Sequence, residues 1–270
     1  MTGVYDDPWA YELACAFRDV PAEVDVLLAW YARHRPGGAA RRPATVLELA
    51  AGPAEHAREF ARRGLAATAL DLNPRMCAHA AREAAREGVE VEVVQGDMTR
   101  FDLGRRFDLV VTMLDSTSHL MTLDAFVAHL RRVAAHLSPA GLYVVEMSHP
   151  RDRLGEPSVG TGWTVERDGV RADVRWGEPT DRLDPVTQIV DDHVTISITA
   201  DGATRVVQDV VPYRFWSATE LHAVLRIADC LDVVAQYGDF GVGDDAVALT
   251  DPEAWRMITI LRGAEVRPNA

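Results

Sequence analysis

Apolar positions in this chain fall into two rhythms. Between residues 44 and 150, short and nearly unbroken apolar runs (Thr45 to Leu49, Ala67 to Leu72, Val89 to Val94, Phe107 to Leu114, Leu142 to Met147) alternate with stretches of helical spacing (Glu55 to Gly64, Pro74 to Glu87, Leu123 to His136). Apolar strands separated by helices predict βαβ units and a parallel sheet. Glycine ends two of the helices at Gly64 and Gly88, and Ser138-Pro139-Ala140-Gly141 reads as a turn before the fifth strand. Two further helical patterns, around Pro8 to Arg18 and Ala22 to His34, precede this block and stop at Pro36-Gly37-Gly38.

From 151 to 215 the rhythm breaks. Trp163 to Arg167 and Val170 to Trp176 flank Asp168-Gly169, and Val194 to Thr199 faces Thr204 to Tyr213 across Asp201-Gly202. Asp-Gly between β-rich runs is a hairpin signal, so an antiparallel insert of three or four strands is expected. After it, Ser217-Ala218-Thr219-Glu220 has the form of a capping box opening a helix from Leu221 to Ala228. Leu231 to Tyr237 and Ala254 to Leu261 read as closing strands around a polar link. The expected domains are a helical cap (1–43), a ligand-binding core (44–150), the antiparallel insert (151–215) and a C-terminal return to the core sheet (216–270).

The chemistry concentrates in the first βαβ unit. Its first strand runs into Ala50-Ala51-Gly52-Pro53-Ala54, and its second ends on Asp71, 19 positions after Gly52. Small residues let a ligand approach the backbone at the helix start, and a carboxylate at that spacing suits a ribose diol. A dinucleotide would need more glycines and free amides for its pyrophosphate. Here one glycine, a proline and Glu55 occupy the turn.

The pattern Glu48-Leu49-x-x-Gly52 instead resembles the E-L-x-x-G-x-G signature of class I S-adenosylmethionine-dependent methyltransferases, departing from it at Ala51 and at Ala54. The resemblance covers residues 44 to 150 and extends to Gln95-Gly96-Asp97-Met98, to the F-D-L-V-x-x-M-x-x-S-x-x-x-L run from Phe107 to Leu120, and to the P-x-G of Pro139 to Gly141. The last features look like small-molecule N-methyltransferases of amino sugars and glycine-type amines. It implies an α/β, doubly wound, seven-stranded Rossmann-like sheet whose last strand is antiparallel, with an N-terminal helical cap and the β insert.

It also implies S-adenosyl-L-methionine as cofactor and S-adenosyl-L-homocysteine as product. Glu48, Ala50 and Gly52 would lie at the cofactor's amino acid end, Asp71 at the ribose, and Asp97 at the adenine amino group, with Leu72 and Met98 on the ring faces. Met76 would belong to the same site, Tyr11 and Phe17 would cover the cofactor, and Leu114, Asp115 and Ser116 would face the donor methyl.

Composition narrows the partners. The formal net charge is −13, and all 28 basic residues are arginine. An acidic chain is a poor match for a phosphate backbone, so nucleic acid is not expected and a small-molecule acceptor is. No run approaches a membrane span, no signal peptide is legible, and Cys15, Cys77 and Cys230 suit a reducing cytoplasm. His119, Glu146 and His149 at strand tips are the candidate catalytic groups, able to take or orient an acceptor proton. His119, Trp163, Trp176, His193, Tyr213, Arg214 and Trp216 are candidates for the acceptor pocket, and no metal site is expected. The insert is an acceptor lid or a homodimer interface. The reading is an S-adenosylmethionine-dependent methyltransferase of a small metabolite, N-methylation ahead of O- or C-methylation. Its alternatives are another activity on the same fold, such as a cyclase or an aminobutyrate-consuming enzyme, and a non-catalytic partner subunit.

Overall fold

Seven strands form one sheet in the order β10-β11-β5-β4-β1-β2-β3: Leu231–Tyr237, Arg256–Gly263, Leu137–Ser148, Phe107–Thr112, Thr45–Leu49, Ala66–Asp71 and Val91–Gln95. The computed structural model describes residues 3–37, 42–154 and 161–264. Gly38 and the 155–160 part of the insert lie outside the described residues. The five strands β1 to β5 pair in parallel, and β11 is antiparallel to both β5 and β10. This is the doubly wound α/β sheet that the sequence predicts, closed by an antiparallel strand.

Helices cover both faces because alternate residues of the strands are apolar on each side. On one face α5 (Leu123–His136) and α7 (Ala218–Ala228) bring Phe126, Leu130, Val133, Leu221 and Val224 against Leu47, Val110 and Tyr143. On the other, α2 (Val20–His34) and α3 (Glu55–Arg62) bring Val24, Leu27, Trp30 and Phe60 against Val46, Leu109 and Val144. Phe60 and Phe126 are fully buried, each contributing about 1.5–3 kcal/mol by leaving water. The capping box of α7 forms between Ser217 and Glu220, and α4 (Pro74–Glu87) opens on Asn73, whose side chain accepts from the Arg75 and Met76 amides.

The expected turn at Ser138–Gly141 is absorbed into β5 as a bulge. The ladder with β4 passes from Phe107 opposite Leu137 to Leu109 opposite Leu142, so the intervening residues loop out of register. A Cβ on Gly141 would stand 2.9 Å from the Phe107 carbonyl oxygen, which is why this position needs glycine.

A second, four-stranded antiparallel sheet, β6 to β9, is the insert: Thr161–Arg167, Val170–Trp176, Ile189–Ala200 and Ala203–Arg214. Asp168-Gly169 and Asp201-Gly202 each carry positive φ at both residues, the type I′ geometry that matches strand twist. Val165, Ala172, Val174, Val194, Ile196 and Ile198 of this sheet pack on Val4, Ala10, Leu13 and Ala14, where α1 spans Pro8–Ala14. The N-terminal segment is thereby held between the insert and the parallel sheet, over the ends of the strands.

Candidate active site

Four of the eight left-handed, non-glycine residues among the described ones lie at the carboxyl ends of β1 and β4: Ala50, Ala54, Leu114 and Asp115 have φ of 51°, 59°, 54° and 55°. Such conformations cost of order 1–3 kcal/mol each and persist where a site over-determines them. Ala54 is the N-cap of α3 yet has no capping side chain. Glu48 replaces it, its carboxylate accepting from the Ala57 amide at 2.8 Å while His56 lies 3.5 Å from the other oxygen. Glu48 is buried and holds the loop from below.

Beside it, Asp71 accepts from the Gly52 amide at 2.7 Å and from the Asn73 amide at 2.8 Å. Burial raises its pKa, and these two amides offset part of the rise. Each oxygen keeps acceptor capacity for a second donor. A Cβ added to Gly52 would sit 3.7 Å from the Tyr11 ring and 4.0 Å from Met76 sulfur, so those side chains form the roof over the glycine. Leu72 follows Asp71 with 65% of its surface exposed, an apolar side chain just beyond the end of β2. Met98 is partly buried against the core, and its carbonyl lies 3.1 Å from His129 Nδ1. Asp97 accepts from the Thr99 amide and hydroxyl and from Arg100 Nε at 3.0 Å, so it also forms its own turn.

A cavity of about 380 Å³ opens between the ends of β4 and β5, the N-terminal segment and the insert. Of the sequence candidates, Tyr11, Phe17, Leu114, Asp115, Ser116, His119, Trp163, Trp176, Tyr213 and Arg214 line it, and the set at Ala50, Gly52, Asp71, Leu72, Met76 and Asp97 lies outside its walls. One wall is aromatic: Trp163 and Trp176 are 6.4 Å apart and near parallel, with Tyr11 at 6.3 Å and Tyr213 at 6.4 Å from Trp176. The other wall is acidic.

Four expected roles fail on geometry. Glu146 also lines the cavity, but its carboxylate is tied to Arg18 at 2.8 Å, the Leu114 amide at 2.9 Å and Arg256 at 3.2 Å. It positions the β4 loop instead. Both nitrogens of His149 are engaged, Nε2 by the Leu249 carbonyl and Nδ1 by the Arg151 amide, and the ring is buried outside the cavity. Trp216 is buried in the core, donating to the Leu120 carbonyl at 3.2 Å with its ring against Phe126. His193 likewise pairs with Asp181 at 2.7 Å and is not in the wall.

His119 keeps its place. Its Nε2 lies 3.2 Å from the Tyr5 hydroxyl, which is 2.6 Å from the Tyr213 hydroxyl, and burial holds its pKa below the ordinary range, so the ring is neutral at pH 7. Asp115 is the group that sequence reasoning assigned only to the cofactor. Burial pushes its pKa up to about 7, although Ser148 donates to it at 2.6 Å, and the neighbouring Glu146 charge adds to the rise. Residues missed from sequence were Tyr5, Arg18, Arg153 and Asp192. Only Asp192 carried a signal, an acid at an otherwise apolar register of β8 (Val190, Asp192, Val194, Ile196).

Beneath the site Arg18, Glu23, His56, Glu48, Glu146 and Arg256 form a buried ionic network joining the cap to β1, β5 and β11. Burial opposes charge on Glu23, but His56 and Arg18 overcome it and hold its pKa down to about 2. Burial likewise opposes charge on His56, yet Glu23 and Glu48 hold it up to about 9. Among the described residues no cluster of His, Cys, Asp and Glu could hold a metal, and no helix is long and apolar enough to cross a membrane.

Residues 46–141 match the family model described as a methyltransferase domain. The chain is 35% identical over 129 residues, 48% of its length and 47% of the relative's, to the dTDP-3-amino-3,6-dideoxy-alpha-D-glucopyranose N,N-dimethyltransferase of Streptomyces fradiae. It thus spans about half the length of the curated relatives it matches. Among solved structures, an S-adenosylmethionine-dependent methyltransferase from Clostridium acetobutylicum superposes with a TM-score of 0.74 at 15% identity, covering 96% of both chains. The amino pentose methyltransferase CalS10 from Micromonospora echinaspora, solved with S-adenosylmethionine bound, gives 0.71 at 21% identity over 93% of this chain and 95% of that one. The fold is therefore theirs, and in the stretch 46–141 this chain resembles the class I S-adenosylmethionine-dependent methyltransferases, with amino sugar N-methyltransferases among its relatives.

Proposed function

We propose that the protein is an S-adenosylmethionine-dependent methyltransferase that methylates the nitrogen of a small-molecule amine. The observation that carries this reading is the junction of two compartments. The acceptors and apolar surface at Gly52, Asp71 and Leu72 lie beside an aromatic and acidic cavity at Leu114, Asp115 and His119, with the Tyr11 ring bounding both. The donor set suits a cation: the carboxyls around the cavity, and Glu55 at the start of α3 in the fraction that ionises with its pKa pushed up to about 7 by burial, would repel a pyrophosphate but tolerate a sulfonium. Asp71 would hold the ribose hydroxyls, Leu72 and Met98 the purine faces, Asp97 the exocyclic amine, and Tyr11 and Phe17 the methionine end. The relative from Streptomyces fradiae is named an amino sugar N,N-dimethyltransferase, which supports nitrogen as the target.

The cofactor supplies a methyl group on positive sulfur. This chain's residues have the remaining work: to bind the amine, place its lone pair in line at about 3 Å, exclude water and take a proton. An ammonium cannot attack, so a proton acceptor whose pKa is near the working pH helps most. Asp115, held up to about 7, meets that condition, and His119, whose pKa burial lowers, offers a neutral ring nitrogen beside it. Three free cysteines are in keeping with a cytoplasmic enzyme. Product analysis tests the reading. Incubation with S-adenosylmethionine and amino sugar acceptors should yield S-adenosylhomocysteine and an N-methylated acceptor, whereas methylthioadenosine as the sole nucleoside product would refute it.

A further inference from the structure

The cavity contains a carboxylate with an unmet demand. Asp192 lies on the apolar face of β8, between Val190 and Val194, with 2% of its surface exposed, and it lines the cavity. One oxygen accepts from Arg153 Nη2 at 2.7 Å, while the other, fully buried, meets no donor. A buried acceptor without a partner is costly, and ligand sites are where such groups persist. What completes it must be a hydrogen-bond donor.

The charge around it says which donors can enter. Asp115, Glu146, Asp152, Glu178, Asp181 and Asp192 line the cavity against three guanidiniums, Arg153, Arg214 and Arg256, so the acids outnumber the bases even with Asp115 half protonated near pH 7. None of the three guanidiniums is free of an acid: Arg153 pairs with Asp192, Arg214 with Glu220 at 3.5 Å, and Arg256 with Glu23 and Glu146. A diphosphate would bring acceptors only, and further negative charge, into a wall that already has an excess of it. An ammonium would meet carboxylates and the faces of Trp163 and Trp176.

We propose that the acceptor is an amine on an uncharged carrier, entering without a nucleoside diphosphate, and that Asp192 is its anchoring carboxylate. This rests on the methyl-transfer reading of the same cavity and narrows it. It sets the chain apart from the Streptomyces fradiae relative, whose name specifies a dTDP-linked sugar. An acceptor of this class is produced by a glycosyl transfer or a hydrolysis that has already removed the nucleotide.

Titration of the protein loaded with S-adenosylhomocysteine tests this, with tryptophan fluorescence as the readout because Trp163 and Trp176 face the ligand. Methyl 3-amino-3-deoxy-α-D-glucopyranoside should quench saturably, and dTDP should give no saturable signal up to about 1 mM. Asp192→Asn should weaken the amine by about tenfold, the worth of one hydrogen bond to a charged group, with S-adenosylhomocysteine affinity unchanged. Binding of dTDP below that range, no response to the amine, or an unaltered amine affinity in the variant would overturn the proposal. Should the variant misfold, the two wild-type titrations still decide it. A separate calorimetric arm with S-adenosylhomocysteine alone reports on the methyltransferase reading, so the two can fail independently.

Discussion

Substitution of Glu146 separates support from catalysis. In the structure its carboxylate joins Arg18, Arg256 and the Leu114 amide, all at a site that is 4% exposed. Glu146→Ala would leave two buried guanidiniums sharing Glu23, with Asp239 at 3.7 Å the remaining acid near Arg256, and removing one partner of a buried pair costs about 3–5 kcal/mol. For a chain of this size 1 kcal/mol moves the melting temperature by about 2–4 °C, so the variant should melt roughly 6–20 °C below wild type. Glu146→Gln preserves the shape and an acceptor for the Leu114 amide, and should fall between the two. Thermal unfolding followed by circular dichroism gives the stability. Methyl transfer measured well below the melting point gives the chemistry, where the Gln variant should lose less than about tenfold in kcat and begin its rise at somewhat lower pH, because the Glu146 charge that helps raise Asp115 is gone. If Glu146→Gln melted like wild type yet lost 10²–10⁴-fold in rate, the range expected for a general base, the assignment of Glu146 as a positioning residue would be wrong.

Other consequences are accessible to the same assays. With the Asp115 pKa raised to about 7, its proton-accepting form grows as pH rises through that value, so the rate should climb between roughly pH 6 and 7.5 and then level, and Asp115→Asn should flatten the climb. Leu72→Ala should leave the melting temperature within about 2 °C, because the side chain is 65% exposed, but weaken S-adenosylhomocysteine several-fold by removing about 1–2 kcal/mol of apolar contact to a purine. Equal affinity in the variant would place the base elsewhere. His149→Ala should lower stability through its lost bonds to Leu249 and Arg151 and leave kcat largely intact; a selective loss of kcat would restore it as a catalytic candidate.

Much of the fold was legible because its signals are local. Asp-Gly dictated both hairpins of the insert, Ser217 and Glu220 announced their own capping box, and proline and glycine marked the ends of α4. The Ser138–Gly141 turn was misjudged because a bulge and a turn use the same residues, and only the ladder with β4 distinguishes them. The site was less legible. Asp71 and Gly52 could be paired by spacing, and the structure joins them at 2.7 Å. Glu146 looked like a free acid at a strand tip because its partner Arg18 is 128 positions away, a distance over which periodicity carries no information. Asp115 was recognised as lining the site but not as a proton acceptor, since its pKa depends on burial that no stretch of sequence displays. Asp192 interrupts an alternating apolar strand, the one trace by which this buried acid was readable in advance.

On the proposed function the site takes an S-adenosyl nucleoside that carries no phosphate, and side-by-side calorimetric titration with S-adenosylhomocysteine and ATP tests that most directly. S-adenosylhomocysteine should bind with a dissociation constant in the micromolar range, about −8 kcal/mol, while ATP gives no measurable heat. Tight binding of ATP, or no heat from S-adenosylhomocysteine, would contradict it.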